Sequence, residues 1–363
     1  MTRLLVLVAL ATAVPRLPAG ETGSIELTVR ETAGLRRFGY PIHATLKLPR
    51  DIDKSDRFRL LTGGKPIEAQ IRKMGDRMIA VDWNASPGPL EKATYTVEYG
   101  DEVTAGPEPR GGMTLEQDKG RVTVSSGGMV YAMNPRLSGL FDEVRDAKKT
   151  FVPAGNSGGL RFRPRGKASE PIRVGEMQIV RQGPLACGLR WSHASGAISG
   201  TVEMTFPRSK SWVEVVWTTS GGDVEEMGAD LSLSLEGSPV LADFGAGSMV
   251  YTTLKQDEAA RLRAGTSVRS GWEVLTGKAD ALRPFVLPAS GKASKAEGWA
   301  HLMDARRCTA LAVADFGSRA EDRIESTGPA RWPSRGGSRR TTRSPGRCAS
   351  GYTSSMPRSR SVR

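Results

Sequence analysis

The sequence is poor in aromatic residues, histidine and cysteine, and these shortages exclude several classes of protein. Aromatic residues make up 6% of the 363 residues, whereas 42 glycines and 22 prolines favour turn-rich β structure over helix bundles. The three histidines, His43, His193 and His301, lack the H-x₃-H or C-x₂-C spacing of metal ligands, so we predict no metal and no cofactor. The chain also has no Walker loop and no G-x-G-x-x-G, the fingerprints of nucleotide binding.

The three cysteines, Cys187, Cys308 and Cys348, are far apart in the chain. Cys187 and Cys308 lie within apolar strand patterns, so we expect both to be buried free thiols. A disulfide between Cys187 and Cys308 is the alternative, although nothing in the spacing supports it.

Positive charge is concentrated at the two ends of the chain. The formal net charge is +13, but residues 331–363 hold nine arginines and no Lys, Asp or Glu, and residues 1–20 add Arg3 and Arg16. Without these groups, residues 21–330 carry about +2, with both signs mixed. Because no basic stripe with interleaved aromatic residues occurs there, we predict no nucleic-acid partner.

Residues 1–20 resemble a secretory signal. Arg3 is followed by an apolar run from Leu4 to Val14, and small residues follow at Ala19 and Gly20. The run is too short to cross a bilayer, which needs about 20 apolar residues. A buried N-terminal strand is the alternative. No other stretch is apolar enough to cross a membrane, so we predict a protein without a membrane span, secreted or periplasmic.

Residues 174–220 predict four consecutive antiparallel strands. Val202, Met204 and Phe206 alternate with polar residues, the period of a half-buried strand. Trp217 shares its parity with Val213 and Val215, so we expect it in the core, whereas Trp212 falls on the opposite face.

Similar alternation along the remaining chain predicts an all-β protein with two domains. Residues 21–103 contain six short strands and predict a small β-barrel or sandwich, and residues 113–325 predict a larger antiparallel β-super-sandwich. The Pro/Gly-rich residues 104–112 predict a linker between them. The best helix candidate is Asp257–Ala264, with Asp257 as the N-cap. Oligomeric state is not predicted.

The last 33 residues, 331–363, break with the composition that precedes them, because Arg, Ser, Gly, Pro and Thr dominate. One interpretation is a basic arm without regular structure that binds anionic polymers. The other is an out-of-frame translation of a GC-rich gene, which we favour because the composition changes abruptly at residue 331.

Part of the chain resembles the exo-rhamnogalacturonan lyase-like family. The first domain matches its N-terminal barrel in the strands Pro41–Pro49 and Pro66–Gln70 and in Trp83, which is placed where that barrel closes. Arg181–Trp191 and Gly298–Gly317 are similar to its central sandwich, which is itself similar to galactose mutarotase. The resemblance covers roughly residues 35–320. The resemblance implies an enzyme related to polysaccharide lyases. It also implies an incomplete one, because full-length members of the family continue into a further domain that helps to form the active cleft. The resemblance therefore assigns no catalytic residue to this chain.

The residues themselves suggest a proton-transfer group around His301. Asp304, Arg306 and Arg307 follow it closely, and a histidine, a carboxylate and an arginine could abstract a proton next to a uronate and bind its carboxylate. We add His193, expected in a turn, and Tyr131, expected in a strand, as further candidate catalytic residues. For all three, packing is the alternative role.

Five tryptophans are concentrated in the second domain, and indole faces stack well on sugar rings. Trp212 and Trp299 are our candidates for substrate binding, together with Arg306 and Arg307, and core packing is the alternative role for each tryptophan. The five are Trp191, Trp212, Trp217, Trp272 and Trp299.

Two functions therefore remain. The first is an exported carbohydrate-active protein that acts on or binds acidic, pectin-like polysaccharide. The second is a non-catalytic secreted β-sandwich that binds glycan or has a structural role. The enzyme needs His301 or His193 close to an arginine and a second titratable group, whereas the binding module needs only an exposed tryptophan face.

The origin of the tail can be tested at the level of the gene. If residues 331–363 are out of frame, the other frames downstream of codon 330 will show an open frame in which strand alternation resumes. Sequencing the gene across codon 330 checks this. Stop codons in every other frame would leave the basic-arm interpretation.

Overall fold

The fold consists of strands and turns. The computed structural model describes residues 5–7, 22–134, 139–155, 159–166, 170–222, 224–235, 239–246, 249–288, 295–318, 321–328 and 352–354. Within these ranges the chain contains no helix, and the strands are antiparallel, which confirms the all-β prediction. The described segments accordingly provide no helix that could span a bilayer.

The first eight strands form two sheets. A five-stranded sheet has the order β1-β2-β8-β4-β5, and a three-stranded sheet has the order β3-β7-β6. The strands are β1 (Leu5–Leu7), β2 (Gly23–Arg30), β3 (Tyr40–Lys47), β4 (Arg57–Thr62), β5 (Lys65–Ile67), β6 (Ala69–Gly75), β7 (Met78–Ala85) and β8 (Lys92–Gly100).

Alternation of side chains explains how these two sheets enclose a core of their own. In β3, every second residue is buried, and β7 and β8 contribute larger side chains to the same cluster. Trp83 of β7 packs against Tyr95 of β8, with ring centroids 5.3 Å apart. Burial of such aromatic rings contributes a large share of the stability of a small sandwich.

The later strands form four further sheets. Their orders are β13-β12-β11-β10-β9, β14-β20-β29-β28-β23-β24-β25, β15-β17-β18-β19 with β16 also paired to β17, and β22-β21-β26-β27. The strands are β9 (Thr114–Asp118), β10 (Arg121–Ser126), β11 (Met129–Met133), β12 (Glu143–Arg145), β13 (Thr150–Val152), β14 (Leu160–Pro164), β15 (Arg173–Val174), β16 (Gln178–Arg181), β17 (Ala186–Ser195), β18 (Ile198–Pro207), β19 (Glu214–Ser220), β20 (Val224–Ala229), β21 (Val240–Gly245), β22 (Met249–Leu254), β23 (Glu258–Ala264), β24 (Trp272–Lys278), β25 (Ala281–Val286), β26 (Trp299–Met303), β27 (Cys308–Ala312), β28 (Asp322–Thr327) and β29 (Tyr352–Ser354).

The four strands predicted within residues 174–220 are present as β16 to β19. Val202, Met204 and Phe206 of β18 are buried, as their alternation predicts. Trp217 of β19 packs against the same core. Val215 is more exposed than its parity suggests, because β19 lies at the edge of its sheet.

The predicted helix Asp257–Ala264 is wrong, because this segment is the strand β23. Asp257 adopts a positive φ of 61° in the turn before the strand and does not cap a helix. β23 pairs with both β24 and β28, and Arg263 forms ion pairs with Glu273 and Glu321 at 2.7 Å. Pairing on two sides therefore overrides the local helical preference of the alanine- and arginine-rich sequence.

Short segments at the two ends of the chain also join sheets. Leu5–Leu7 pairs with Thr28–Arg30 of β2, and Tyr352–Ser354 lies between β20 and β28. The rest of residues 1–20 and of residues 331–363 lies outside the described residues. Export and the origin of the tail therefore stay predictions.

One side chain connects the three-stranded sheet to the second half of the chain. Gln70 of β6 accepts hydrogen bonds from the backbone N–H groups of Leu185 and Ala186 at 3.0 and 3.1 Å and donates to the Ala186 carbonyl at 3.3 Å. Gly183 lies directly against the Gln70 amide, where a Cβ atom would come within 2.2 Å of it. The contact therefore requires glycine at position 183.

A buried carboxylate holds the loop that follows β2. Glu31 has no exposed surface, and it accepts hydrogen bonds from the N–H groups of Ala33, Leu35 and Leu90 and from the Arg37 guanidinium. Burial alone would raise the pKa of Glu31, but these donors together lower it from 4.5 to about 2. The carboxylate therefore stabilises the fold in its ionised form.

The lowered pKa of Glu31 predicts how stability depends on pH. Since this pKa lies below its unfolded value of 4.5, the contribution of Glu31 is complete above pH 4.5 and is lost as the pH falls towards 2. We expect Glu31→Gln to lower the midpoint of urea unfolding at pH 7 and to reduce the loss of stability between pH 4.5 and pH 2.5. Glu26→Gln, at an exposed position of β2, is the matched control. Equal midpoints for both variants at pH 7 would contradict this role.

Candidate functional site

The four-stranded sheet β22-β21-β26-β27 has one face in the core and one face towards solvent. Val240, Ala242 and Phe244 of β21 and Ala300 and Leu302 of β26 are buried and belong to the main core cluster. The residues between them along each strand project to the opposite face. We call this opposite face the outer face of the β21–β26 sheet.

The register of three strands places a row of polar side chains across the outer face. Tyr251 of β22 pairs with Asp243 of β21, and Asp243 pairs in turn with His301 of β26. Direct partners in antiparallel strands share a face, with Cβ atoms about 5 Å apart. Tyr251 is 63% exposed, whereas Asp243 is buried between its two neighbours.

Asp243 and His301 form a close pair of a carboxylate and an imidazole. His301 Nδ1 lies 3.2 Å from Asp243 Oδ1, and the side chain of His301 is 38% exposed. Asp243 Oδ1 is buried and makes no well-directed hydrogen bond to the described residues. With the proton on Nδ1, next to the carboxylate, Nε2 is left as a proton acceptor, and the carboxylate lies close enough to stabilise an imidazolium by its charge.

Trp299 lies beside this pair because position 245 is a glycine. A Cβ atom at Gly245 would come within 2.2 Å of the Trp299 indole, so the absence of a side chain leaves room for the ring on the strand. The indole packs against His301 with ring centroids 4.9 Å apart and an interplanar angle of 32°. Its Nε1–H donates to Glu297 at 2.5 Å. Trp299 and His301 are therefore brought together, and both remain partly exposed.

The two predicted arginines have different surroundings. Arg306 is exposed at the turn between β26 and β27, where its N–H and that of Arg307 donate to Asp304 at 2.7 Å. The side chain of Arg307 points inward and donates to the Ser234 carbonyl. Arg306 is therefore exposed to solvent, whereas Arg307 is part of the support of the turn.

His193 is not placed where a catalytic group could work. It lies in the strand β17, not in the predicted turn, and it is only 2% exposed. Its ring stacks on Phe162, and its Nε2 accepts a hydrogen bond from the Trp217 indole at 2.8 Å. Burial lowers the pKa of His193. We therefore assign His193 to core packing.

Tyr131 has a structural environment as well. It is buried against Phe141 and Phe206, and its hydroxyl donates to the Ser211 carbonyl at 2.8 Å. Burial raises the pKa of Tyr131 to about 12. The hydroxyl therefore connects β11 to the segment before β19 and does not supply protons to a substrate.

Trp212 is half-buried and lies near the ring of Tyr40 from the first sandwich, at a centroid distance of 6.4 Å. Trp191 and Trp272 are buried in the core. Of the five tryptophans considered for sugar binding, Trp299 is thus the one whose indole packs against a partly exposed histidine.

A second pair of histidine and aspartate occurs where the two halves of the chain meet. His43 Nδ1 lies 2.7 Å from Asp82 Oδ1, and Arg181 of β16 lies 3.3 Å from the same oxygen. Asp82 is buried, and its register partner on β6 is Gln70, the residue that binds Leu185 and Ala186. This grouping therefore belongs to the contact between the two halves.

A shallow depression of about 460 Å³ lies on the first sandwich, and none of its lining residues belongs to the β22-β21-β26-β27 sheet. It is lined by two carboxylates, Glu68 and Glu91, and by Tyr95, Asn84 and Ser86. Its carboxylates would repel an acidic ligand. We favour the outer face of the β21–β26 sheet because it offers an indole, an imidazole and an exposed arginine.

The cysteines are free thiols in two different environments. Cys187 is buried, as predicted, whereas the prediction of burial is wrong for Cys308, which is exposed on the outer face of the β21–β26 sheet opposite Met303. Among the described residues, no group of three His, Cys, Asp or Glu side chains could hold a metal ion. Burial and the nearby charge of Asp243 raise the pKa of Cys308.

Comparison with known proteins finds no family model that matches the chain and no curated protein with significant similarity. The likeness to the exo-rhamnogalacturonan lyase-like family is therefore a hypothesis that rests on the quoted strands alone.

Three residues of this site were not among the candidates selected from the sequence: Asp243, Gly245 and Tyr251. Asp243 has a signal in the sequence, since it is an acidic residue between Ala242 and Phe244 in an otherwise alternating apolar strand. The roles of Gly245 and Tyr251 depend on the pairing of β21 with β22 and β26, which the local sequence does not specify.

The reactivity of Cys308 tests the geometry of the site. Because desolvation and the charge of Asp243 both disfavour the thiolate, we expect iodoacetamide to alkylate Cys308 in the native protein at pH 8 more slowly than free cysteine, and Asp243→Asn to raise that rate. Mass spectrometry of the labelled peptides measures both rates. Buried Cys187 should stay unmodified and is the internal control. An unchanged Cys308 rate in Asp243→Asn would show that the charge of Asp243 does not act on Cys308.

Proposed function

We propose that this protein is an exported carbohydrate-active protein that acts on acidic, pectin-like polysaccharide at the outer face of the β21–β26 sheet. The observation that supports this most is the pairing of Asp243 with a partly exposed His301 directly beside the indole of Trp299. A sugar ring stacked on Trp299 would bring its ring carbons next to His301. Arg306, exposed at the nearby turn, is the group that could bind a uronate carboxylate.

The chemistry that fits this arrangement is β-elimination. His301 Nε2 takes the proton from the carbon next to the uronate carboxylate, while Asp243 stabilises the imidazolium that forms. The electron pair of that C–H bond forms a double bond as the glycosidic C–O bond breaks, and the leaving oxygen accepts a proton. Tyr251, on the other side of Asp243 in the same row, is the exposed hydroxyl that could donate it. The products are an unsaturated uronate and a shortened chain.

A non-catalytic glycan-binding module is the second candidate. It is favoured by the environments of His193 and Tyr131, since both of these further candidate catalytic residues are buried in the core. In this case Trp299 and Tyr251 provide an aromatic surface, and His301 only supports the indole. The two candidates predict the same binding site but differ in whether product forms.

The charge distribution is consistent with a ligand held by a few local contacts. Residues 21–330 carry a formal charge of about +2, too small to attract a polyanion over a long range. Stacking of a ring on an exposed indole contributes about 1–3 kcal/mol, by analogy with nucleic-acid bases. One indole and one arginine therefore support dissociation constants in the millimolar to high-micromolar range.

Isothermal titration with pectic oligosaccharides tests the site. Loss of stacking predicts that Trp299→Ala weakens binding by about 5- to 150-fold. Gly245→Ala should weaken it too, although it removes no contact atom, because a methyl group at this position displaces the indole. Phe38→Ala, at an exposed aromatic position of the first sandwich, is the matched control and should bind as the unaltered chain does.

Absorbance of the unsaturated product separates the two candidates. We expect unaltered protein to generate product and His301→Gln to bind oligosaccharide without generating it. Binding without product in the unaltered protein would favour the non-catalytic module. Absence of both binding and product would overturn the carbohydrate proposal.

A further inference from the structure

Two neighbouring loops of the first sandwich carry exposed apolar side chains. Residues 31–39 connect β2 to β3, and residues 86–91 connect β7 to β8. Leu35 is 55% exposed, Phe38 68% and Leu90 66%. Phe38 and Leu90 have the two largest exposed fractions among the large apolar side chains that the structure describes. We call Leu35, Phe38 and Leu90 the loop-tip patch.

Hydrogen bonds hold the two loops side by side. The N–H groups of Leu35 and Leu90 donate to the same oxygen, Oε2 of the buried Glu31, at 3.1 and 3.2 Å. The backbone N–H groups on both sides of Phe38 donate to the second loop at 2.9 Å. The loop-tip patch is therefore presented by two loops that are fixed to each other, and its exposure does not come from a loop without contacts.

The backbone of Leu90 is strained as well as exposed. Its φ is 58°, in the left-handed region that a leucine rarely adopts because its Cβ atom crowds the backbone. Burial of the side chain does not offset this cost, since two thirds of it faces solvent. Strain of this kind is found mainly at functional sites, where the surrounding structure imposes it.

Two basic side chains face each other where the loops leave the sheet. Arg30 ends β2 and Lys92 begins β8, and the two residues are direct partners in the antiparallel pairing of these strands. Both are exposed. Like charges at directly opposite positions destabilise a sheet. An anionic surface next to the loops would relieve this repulsion.

The exposed charge of the loops is positive on balance. Arg36 is exposed, and its guanidinium reaches the second loop, where it lies 3.9 Å from the position of a Cβ atom at Gly88. Residues 30–39 and 86–92, all of which the structure describes, contain one exposed carboxylate, that of Glu91, and three exposed basic side chains. The apolar tips are therefore accompanied by a net positive charge.

We propose that the loop-tip patch binds the surface of an anionic lipid bilayer. The apolar tips enter the headgroup region, and the basic side chains stay at the level of the phosphates, with their stems along the apolar surface. Insertion and charge attraction together provide the two contributions that stable interfacial binding requires. A protein partner would need about 800 Å² of matching surface with an apolar centre, whereas three tips among cations suit a fluid anionic surface.

This surface is independent of the proposed glycan site. The loops belong to the first sandwich, whereas Trp299 and His301 lie on the outer face of the β21–β26 sheet. Failure of glycan binding would therefore leave the bilayer proposal standing, and failure of bilayer binding would leave the glycan proposal standing.

Sedimentation of the full chain with lipid vesicles tests the proposal. We expect the partition coefficient to be about tenfold larger for vesicles of equal parts phosphatidylglycerol and phosphatidylcholine than for phosphatidylcholine alone. Binding to the anionic vesicles should weaken in about 1 M salt, which screens the attraction. Absence of sedimentation with either kind of vesicle, or equal partition into both, would overturn the proposal.

A matched pair of phenylalanine variants locates the surface. Phe38→Ser removes an apolar tip and should lower the partition coefficient about tenfold. Phe285→Ser, at a 50% exposed position of β25, is the control and should partition as the unaltered chain does. Equal partition of the two variants would overturn the proposal. So would a dimer that Phe38→Ser abolishes in the absence of vesicle binding, because the partner would then be a second copy of this chain.

Leu90→Gly separates bilayer binding from a structural role of the loop. Glycine adopts a positive φ without strain and keeps the N–H group that binds Glu31. We therefore expect the midpoint of thermal unfolding to stay unchanged or to rise, while the partition coefficient into anionic vesicles falls about tenfold. A lower midpoint with unchanged partition would assign Leu90 to the stability of the loop and would overturn the proposal.

Discussion

The register between β21 and β26 is the constraint on which the candidate site depends. It pairs Asp243 with His301, and the neighbouring glycine leaves space for the Trp299 indole. A slip of one residue would turn Asp243 towards the core and bring Phe244 to the surface. The free energy lost by burying the carboxylate and exposing the phenyl ring could not be offset by any local interaction. The buried apolar face of the sheet thus fixes the geometry of its polar face.

The fold could be inferred from the sequence where strands alternate clearly. The strands β3 and β18, for example, follow the period of two, because one face of each is buried. The segment Asp257–Ala264 was wrongly predicted as a helix, since pairing with β24 and β28 decides its conformation and β28 is distant from it in sequence. Long-range pairing is the information that local patterns lack.

The same limit explains the candidate site. His301 and Trp299 could be selected from their chemistry and spacing, but the partner of His301 is Asp243, which is distant in sequence, and not the nearby Asp304. His193 and Tyr131 have suitable chemistry for catalysis, yet burial gives them packing roles that composition does not reveal. The local sequence therefore indicated the site residues of β26, whereas those of β21 and β22 follow from the pairing of strands in the sheet.

Oxidative footprinting of the aromatic residues measures most directly whether the outer face of the β21–β26 sheet binds glycan. Brief exposure to hydroxyl radicals, with and without pectic oligosaccharide, followed by mass spectrometry, reports the accessibility of each ring. The account predicts protection of Trp299 and Tyr251 by the ligand and unchanged oxidation of exposed Phe38 and Phe285. Protection of Tyr95 in the depression of the first sandwich, with Trp299 and Tyr251 unaffected, would contradict it.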